Sequence, residues 1–440
     1  MSETEKFGRA VAVPRHRAWR AARLGGMALG VATNVAAGRA RGLISGEPAN
    51  LRDLIVTPAN IGRVTNELAR MRGAAMKLGQ LVSMDAGDIL PPELAQIMAR
   101  LRAEADFMPP SQLKKVLTAA WGSDWLKGFK SFNVRPIAAA SIGQVHRATL
   151  RDGRDVAIKV QYPGVAASID SDVANVASLI RLSGLLPRGF EIDRYVEEAR
   201  LQLHEETDYL READHLRTFK GLLGRSERYE LPDVYDDLTV PSVLTMSFVE
   251  SDPLEAAERC DQATRNQIAS DVVDLALREL FEFGIVQTDP NFANFRYNAD
   301  SGKLVLLDFG ATRRPNEETI ETYRQLIRAG LEDDSDALYG VSQKLGVWGA
   351  DSAPAHVAQL MQMMRLVFGA INENPQFDFN DRTLQQTLNR EGMALAEAGF
   401  VPPPVSADVL FIQRKLAGVF LIAANLKATL PVRDMIYRRI

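Results

Sequence analysis

At 440 residues, 46% of them hydrophobic and 25% charged, the chain is long enough for two or three compact units, or for one bilobal unit with appended helices. A net charge of −4 excludes a surface built to neutralise nucleic-acid phosphates, so no nucleic-acid partner is expected. Cys260 is the single cysteine, which excludes an internal disulfide and a cysteine metal cage and fits a reducing, cytoplasmic compartment; the five histidines contain no His-x3-His pair that would point to zinc.

Residues 1–50 are basic and rich in Gly and Ala, and read as a segment outside the core. Within them, Leu24 to Gly38 is too short to span a bilayer and is interrupted at Thr33 and Asn34. Flanked by Arg20, Arg23, Arg39 and Arg41, it suits an interfacial helix drawn to anionic lipid, and Gly26-x3-Gly30 would permit a homodimer. A weakly helical tail is the plainer alternative. Residues 51–135 read as helical: Ile61, Val64, Leu68, Met71, Ala75, Leu78 and Val82 define one stripe of a long helix that ends at Asp85 to Pro92. Further helices are predicted over Glu93 to Arg102 and Ser111 to Ala120.

The pattern then changes. Pro136 to Leu150, a turn at Asp152-Gly153, and Asp155 to Gln161 predict a β-hairpin. Helices follow over Val165 to Leu186 and Ile192 to Phe219, a strand over Val243 to Val249, a long helix over Cys260 to Phe283 and a strand over Leu304 to Leu307. Beyond Glu317 the chain is helical again, interrupted at Pro402-Pro403-Pro404, with a last helix through Ile412 to Leu426. The resulting α+β order is that of a protein-kinase-like bilobal fold: a small β-containing N-lobe at 136–250, a helical C-lobe at 251–440, and a helical extension in front.

Asp289 and Asn294 in Gln-Thr-Asp-Pro-Asn-Phe-Ala-Asn, followed by Asp308-Phe309-Gly310, carry the chemistry. Phosphoryl transfer needs carboxylate and amide oxygens to hold a divalent metal against phosphates, and an acceptor near the attacking oxygen that Asp289 could supply. With Val-Ala-Ile-Lys at 156–159 upstream, the combination is specific. Lys159 could reach a nucleotide's α/β-phosphates while Ile158 and Val160 face the core. Such a lysine needs a carboxylate on a neighbouring helix; Glu206, on an otherwise apolar stripe, is the first candidate and Glu212 the alternative. Where kinases have a Gly-rich loop, this hairpin has Ala138-Ala139-Ala140-Ser141-Ile142-Gly143, a stiffer turn whose backbone N–H groups still suit phosphate. Lys77 and Gln80 lie off their helix's apolar stripe, and pattern alone makes them a solvated face.

These motifs resemble the UbiB/ADCK family of atypical kinase-like proteins, in the branch that supports ubiquinone (coenzyme Q) biosynthesis. The likeness runs from about residue 60 to the C-terminal helices and includes GAAMKLGQ at 73–80, AEADFMP at 103–109, AAASIGQVHRA at 138–148, EETDYLREA at 205–213 and LLDFGATR at 306–313. The resemblance implies Mg2+ and ATP as cofactors, with Ala138, Ala139, Ala140 and Ser141 as nucleotide loop, Lys159 on the phosphates, and Met246, Ser247, Phe248 and Val249 as hinge beside the adenine. It implies Asp289 as catalytic acid/base and Asn294 and Asp308 as metal ligands. Lys77 and Gln80 would belong to an extension folded over the active site, engaged by the Glu206-x-Asp208 motif. Gln287-Thr288 replaces the usual His-Arg ahead of the catalytic aspartate, which removes the arginine that reads an activation-loop phosphate. The implied activity is that of an ATPase supporting ubiquinone synthesis. A lipid kinase acting on a prenylated quinone precursor and a nucleotide-gated scaffold are the alternatives. The implied partners are ubiquinone-precursor lipids, quinone-biosynthesis proteins and an anionic membrane, at the inner face of the cell membrane or the matrix face in a eukaryote.

Overall fold

The computed structural model describes Leu68 and residues 71–86, 107–182, 192–289 and 291–440, without the side chains of Arg72, Gln80 and 83–86. The expectations for residues 1–50, for the Gly26-x3-Gly30 face and for a helix over Glu93 to Arg102 lie outside the described residues. The chain divides into two compact units, Met1–Arg217 with Asp233–Phe248, and Thr218–Pro232 with Val249–Ile440.

The first unit opens with helices α1 (Arg72–Ala86) and α2 (Pro110–Trp121). Strands β1 (Phe129–Phe132), β2 (Ala138–Ala139), β3 (Gly143–Leu150) and β4 (Asp155–Gln161) follow, then helices α3 (Val165–Leu182), α4 (Ile192–Glu206) and α5 (Tyr209–Leu223). After β5 (Tyr229–Glu230), which belongs to the second unit, β6 (Val243–Ser247) completes an antiparallel sheet of order β1-β3-β4-β6, with β2 paired to β3. The β3–β4 hairpin is the expected one, with its turn at Asp152-Gly153, where Gly153 takes a φ of 95°. Period-two alternation puts Val156, Ile158 and Val160 on the core face, packed with Met108, Leu113, Leu117 and Phe129. Each such aliphatic side chain contributes roughly 1.5–3 kcal/mol by burial.

Two expectations need correction here. The single helix over Ile192 to Phe219 is two helices, because the Asp208 carboxylate accepts the backbone N–H of Arg211 at 3.0 Å and starts α5 afresh. Leu210, assigned to the apolar stripe of that single helix, is therefore exposed. The stretch from Pro136 to Leu150 is also not one strand: β2 turns back on β3 through Ser141 and Ile142, with Ala140 N–H donating to Gly143 O at 2.9 Å.

The second unit contains β7 (Asp252–Pro253), α6 (Gln262–Arg278), β8 (Val286–Gln287), β9 (Phe295–Asn298), β10 (Lys303–Leu306) and β11 (Thr312–Arg313). Helices α7 (Glu317–Leu331), α8 (Ser335–Lys344), α9 (Pro354–Glu373), α10 (Thr383–Glu397), α11 (Ala407–Asn425) and α12 (Val432–Tyr437) follow, with short strands β12 (Phe377–Asp378) and β13 (Thr429–Leu430) between them. The expected long helix to Phe283 changes character at Glu279, where Glu279–Phe283 forms a π-helical turn. The last long helix begins at Ala407 rather than Ile412, because Ser406, just past the prolines, caps it by accepting the Val409 N–H. Among the described residues no helix is long and apolar enough to cross a membrane, and α11 buries Val419 and Ile422.

Candidate active site

In the first unit, β4 lies between β3 and β6, with Lys159 opposite Val145 on one side and Leu244 on the other. Its side chain leaves the sheet on the face opposite Ile158 and would be costly to bury alone. Glu212, one turn into α5, meets it: Lys159 Nζ donates to both carboxylate oxygens, at 2.8 and 2.9 Å, and both side chains are buried. The first candidate partner, Glu206, is thus replaced by the alternative, since the helix break at Asp208 turns the two glutamates in different directions.

Glu206 is engaged elsewhere. Lys77 Nζ lies 2.6 Å from one of its oxygens, and Ser141 Oγ donates to the other. Lys77 is buried, which corrects the reading of a solvated face. The Gln80 side chain lies outside the described residues. Helix α1 reaches the alanine turn directly: a Cβ on Gly73 would stand 2.7 Å from Ser141 O, so only glycine permits this approach. Gly143 is equally constrained, its Cβ position being 2.4 Å from Val160 O. Ala138 is exposed, while Ala139, Ala140 and Ser141 are half-buried. Asp208 is exposed, and its carboxylate holds the start of α5.

At the end of β6, Met246 is buried and pairs with Ala157, and Ser247 Oγ accepts the Asp233 N–H at 2.8 Å. Phe248 N–H donates to Asp155 O, and its ring lies 3.7 Å below the Arg147 guanidinium. Val249 opens the last segment of the second unit.

Sequence reasoning passed over one network. Gln144, fully buried on β3, accepts the Met108 N–H at 2.8 Å and meets His146 Nε2 at 2.8 Å, while His146 Nδ1 meets Asn133 O at 2.8 Å. A carbonyl can only accept, so Nδ1 carries the proton and Nε2 accepts from the Gln144 amide. Burial lowers the His146 pKa to about 4, so the ring is neutral. The signal was available as two polar residues, Gln144 and His146, on one face of a strand otherwise headed for the core.

In the second unit, β8 and β11 pair antiparallel, and Thr288 accepts no freedom beyond them: its N–H and its Oγ both donate to Ala311 O at 2.8 Å. Asp289 follows directly. Asn294 Nδ2 donates to Asp289 O at 2.8 Å, which ties the two functional residues together and leaves the Asn294 Oδ1 as its acceptor atom. Asp308, just past the end of β10, accepts the Gly310 N–H at 3.0 Å, and Phe309 is buried against Phe219, ring centroids 4.7 Å apart. Asp289, Asn294 and Asp308 are all half-buried. Among the described residues no three His, Cys, Asp or Glu side chains cluster as a metal cage. An amide oxygen with a carboxylate is instead a donor set suited to Mg2+, which keeps waters and takes its remaining ligands from phosphates.

Comparison with known proteins fixes the class. Residues 100–342 match the ABC1 atypical kinase-like domain. The chain is 37% identical over 421 residues to the mitochondrial atypical kinase COQ8 of Saccharomyces cerevisiae, covering 95% of this chain and 83% of that protein. This chain belongs to the UbiB/ADCK family of ABC1 atypical kinase-like proteins. It is 37% identical over 427 residues to the mitochondrial atypical kinase COQ8B of Danio rerio, covering 96% and 68% of the two chains. In fold it is similar to Mycobacterium tuberculosis Rv3197, solved with erythromycin, with a TM-score of 0.61 at 24% identity over 86% of this chain and 95% of that one. The kinase-like α+β fold and the class of atypical kinase-like phosphotransferase/ATPase follow from these likenesses.

Proposed function

We propose that this protein binds Mg-ATP and hydrolyses it in support of ubiquinone (coenzyme Q) biosynthesis at a membrane surface. The observation that carries the reading is the buried Lys159–Glu212 pair. An ammonium held on a strand by a helix carboxylate is preset to grip α/β-phosphates, as kinase-like phosphoryl transfer requires. Asn294 and Asp308 would hold Mg2+, which supplies charge neutralisation on the phosphates. Asp289 accepts the proton of the attacking water as its oxygen bonds to the γ-phosphorus and the bond to the ADP oxygen breaks. Thr288, doubly bonded to Ala311 O, keeps the preceding backbone still while this happens.

Hydrolysis is favoured over peptide phosphorylation by α1, which packs against the alanine turn at Gly73 and is locked there by Lys77, Glu206 and Ser141. The pathway comes from the relatives called COQ8 and from the family resemblance. The basic segment around residues 20–41 is proposed as the membrane contact, a role checked by partition onto anionic vesicles that weakens with salt.

The deciding experiment is Asp289→Asn. ATP hydrolysis is expected to fall at least 100-fold with nucleotide binding retained, and a strain carrying the variant is expected to lose ubiquinone. Hydrolysis at the wild-type rate would remove Asp289 from catalysis, and normal quinone content despite lost hydrolysis would point to the scaffold alternative.

A further inference from the structure

Two buried charges in the second unit take no part in the chemistry proposed above. Glu279 opens the π-helical turn that ends α6, and Lys415 lies in the middle of α11. Both are almost wholly inaccessible, and Lys415 Nζ stands 2.6 Å from the Glu279 carboxylate. Burial pushes the Glu279 carboxyl up, while Lys415 and the backbone N–H of Gln287 draw it back toward the ionised form. Gln287 ends β8, two residues before Asp289. The same ammonium lies 5.9 Å from the ring centroid of Phe295, a buried residue directly after Asn294. The ion pair therefore touches both ends of the loop that carries Asp289 and Asn294. A buried ion pair adds little stability over an apolar pair of equal volume, so stability alone does not account for it.

We propose that Lys415 and Glu279 are positioning residues that clamp the loop from Gln287 to Phe295, and so set Asp289 and Asn294 relative to each other. The clamp rests on the catalytic and metal-binding roles proposed for those two residues. Glu279 fixes the entry of the loop through the Gln287 N–H, and Lys415 fixes its exit through the face of Phe295. The C-terminal helix α11 thereby becomes part of the support of the active loop, although it contributes nothing that touches substrate.

The test compares the wild type with Glu279→Leu/Lys415→Met and with Glu279→Gln/Lys415→Met. The first double variant removes both charges together, stranding neither, and takes away the acceptor for the Gln287 N–H. The second keeps a carbonyl acceptor there. The Leu/Met protein is expected to unfold cooperatively yet to exchange amide hydrogens across 287–295 roughly tenfold faster or more. Its kcat for ATP hydrolysis is expected to fall by a similar factor, with KM within threefold of wild type. The Gln/Met protein is expected to recover most of both. Wild-type exchange in the Leu/Met protein overturns the clamp, as does a kcat unchanged while the loop exchanges faster, and so does equal damage in both variants. A Glu279→Met/Lys415→Met protein takes the place of the Leu/Met protein if that does not fold. Should the wild type itself fail to hydrolyse ATP, the ATPase reading falls and exchange across 287–295 alone decides the clamp.

Discussion

The side chains that decide this molecule's behaviour are charges placed where solvent cannot reach them. Lys159 and Glu212 are each other's main compensation, so removing one leaves the other buried and uncompensated. Glu212→Ala is expected to cost about 3–5 kcal/mol in chemical denaturation, and Lys159→Met/Glu212→Leu distinctly less. A single-variant cost no larger than that of the double variant would mean that the pair is not coupled. His146 is the opposite case, a titratable group kept neutral. Its pKa near 4 in the folded chain lies below the ordinary 6.5 of the unfolded one. Its stabilising contribution is therefore full above about pH 6.5 and is lost as pH falls toward 4, where the unfolded chain binds a proton that the folded chain excludes. The loss amounts to about 3 kcal/mol across that window. A denaturation midpoint followed from pH 7 to pH 4 is expected to show it, and His146→Gln to flatten that part of the curve.

Among elements, the β2–β3 turn with the α1 helix upon it shows where sequence patterns suffice and where they do not. The hairpin β3–β4 was legible because Val156, Ile158 and Val160 alternate with polar or small residues and Asp152-Gly153 is a strong turn signal. The break between α4 and α5 was not, because the apolar stripe runs across it and Asp208 looks like one more surface acid until its carboxylate is seen capping Arg211. The partner of Lys159 was misjudged for the same reason, the helical phase having been carried through a point where it resets. Gly143 was legible only as a small residue; its close approach to Val160 O is a property of packing between strands. Gly143→Ala is expected to destabilise by about 1–3 kcal/mol, since a Cβ 2.4 Å from a carbonyl oxygen cannot be relieved by a side-chain rotation. Thermal unfolding measures it, and an unchanged midpoint would mean that the turn yields. Gly153→Ala is a poor control because its φ is positive, whereas Gly128→Ala, with open space around it, is a good one.

Over the molecule as a whole, the candidate site is assembled from groups far apart in sequence: Lys159 and Glu212 in the first unit, Asp289, Asn294 and Asp308 in the second. The motifs were legible because phosphoryl chemistry tolerates few residue types at each post; the supports beneath them, Gln144 with His146 and Glu279 with Lys415, were not, because any buried polar pair could serve. A ligand that binds only the folded chain stabilises it by mass action, by about 2.7 kcal/mol at a hundredfold excess over Kd. For units of roughly 200 residues that corresponds to about 5–10 °C in the unfolding midpoint. If one nucleotide uses both sets of residues, Mg-ATP is expected to raise the wild-type midpoint by that amount, and to raise it much less in Lys159→Met and in Asp308→Asn separately. Omitting Mg2+ is expected to abolish most of the shift in the wild type and to change little in Asp308→Asn, whose metal affinity is already lost. Equal shifts in all three proteins would place the nucleotide away from these residues and end the catalytic reading.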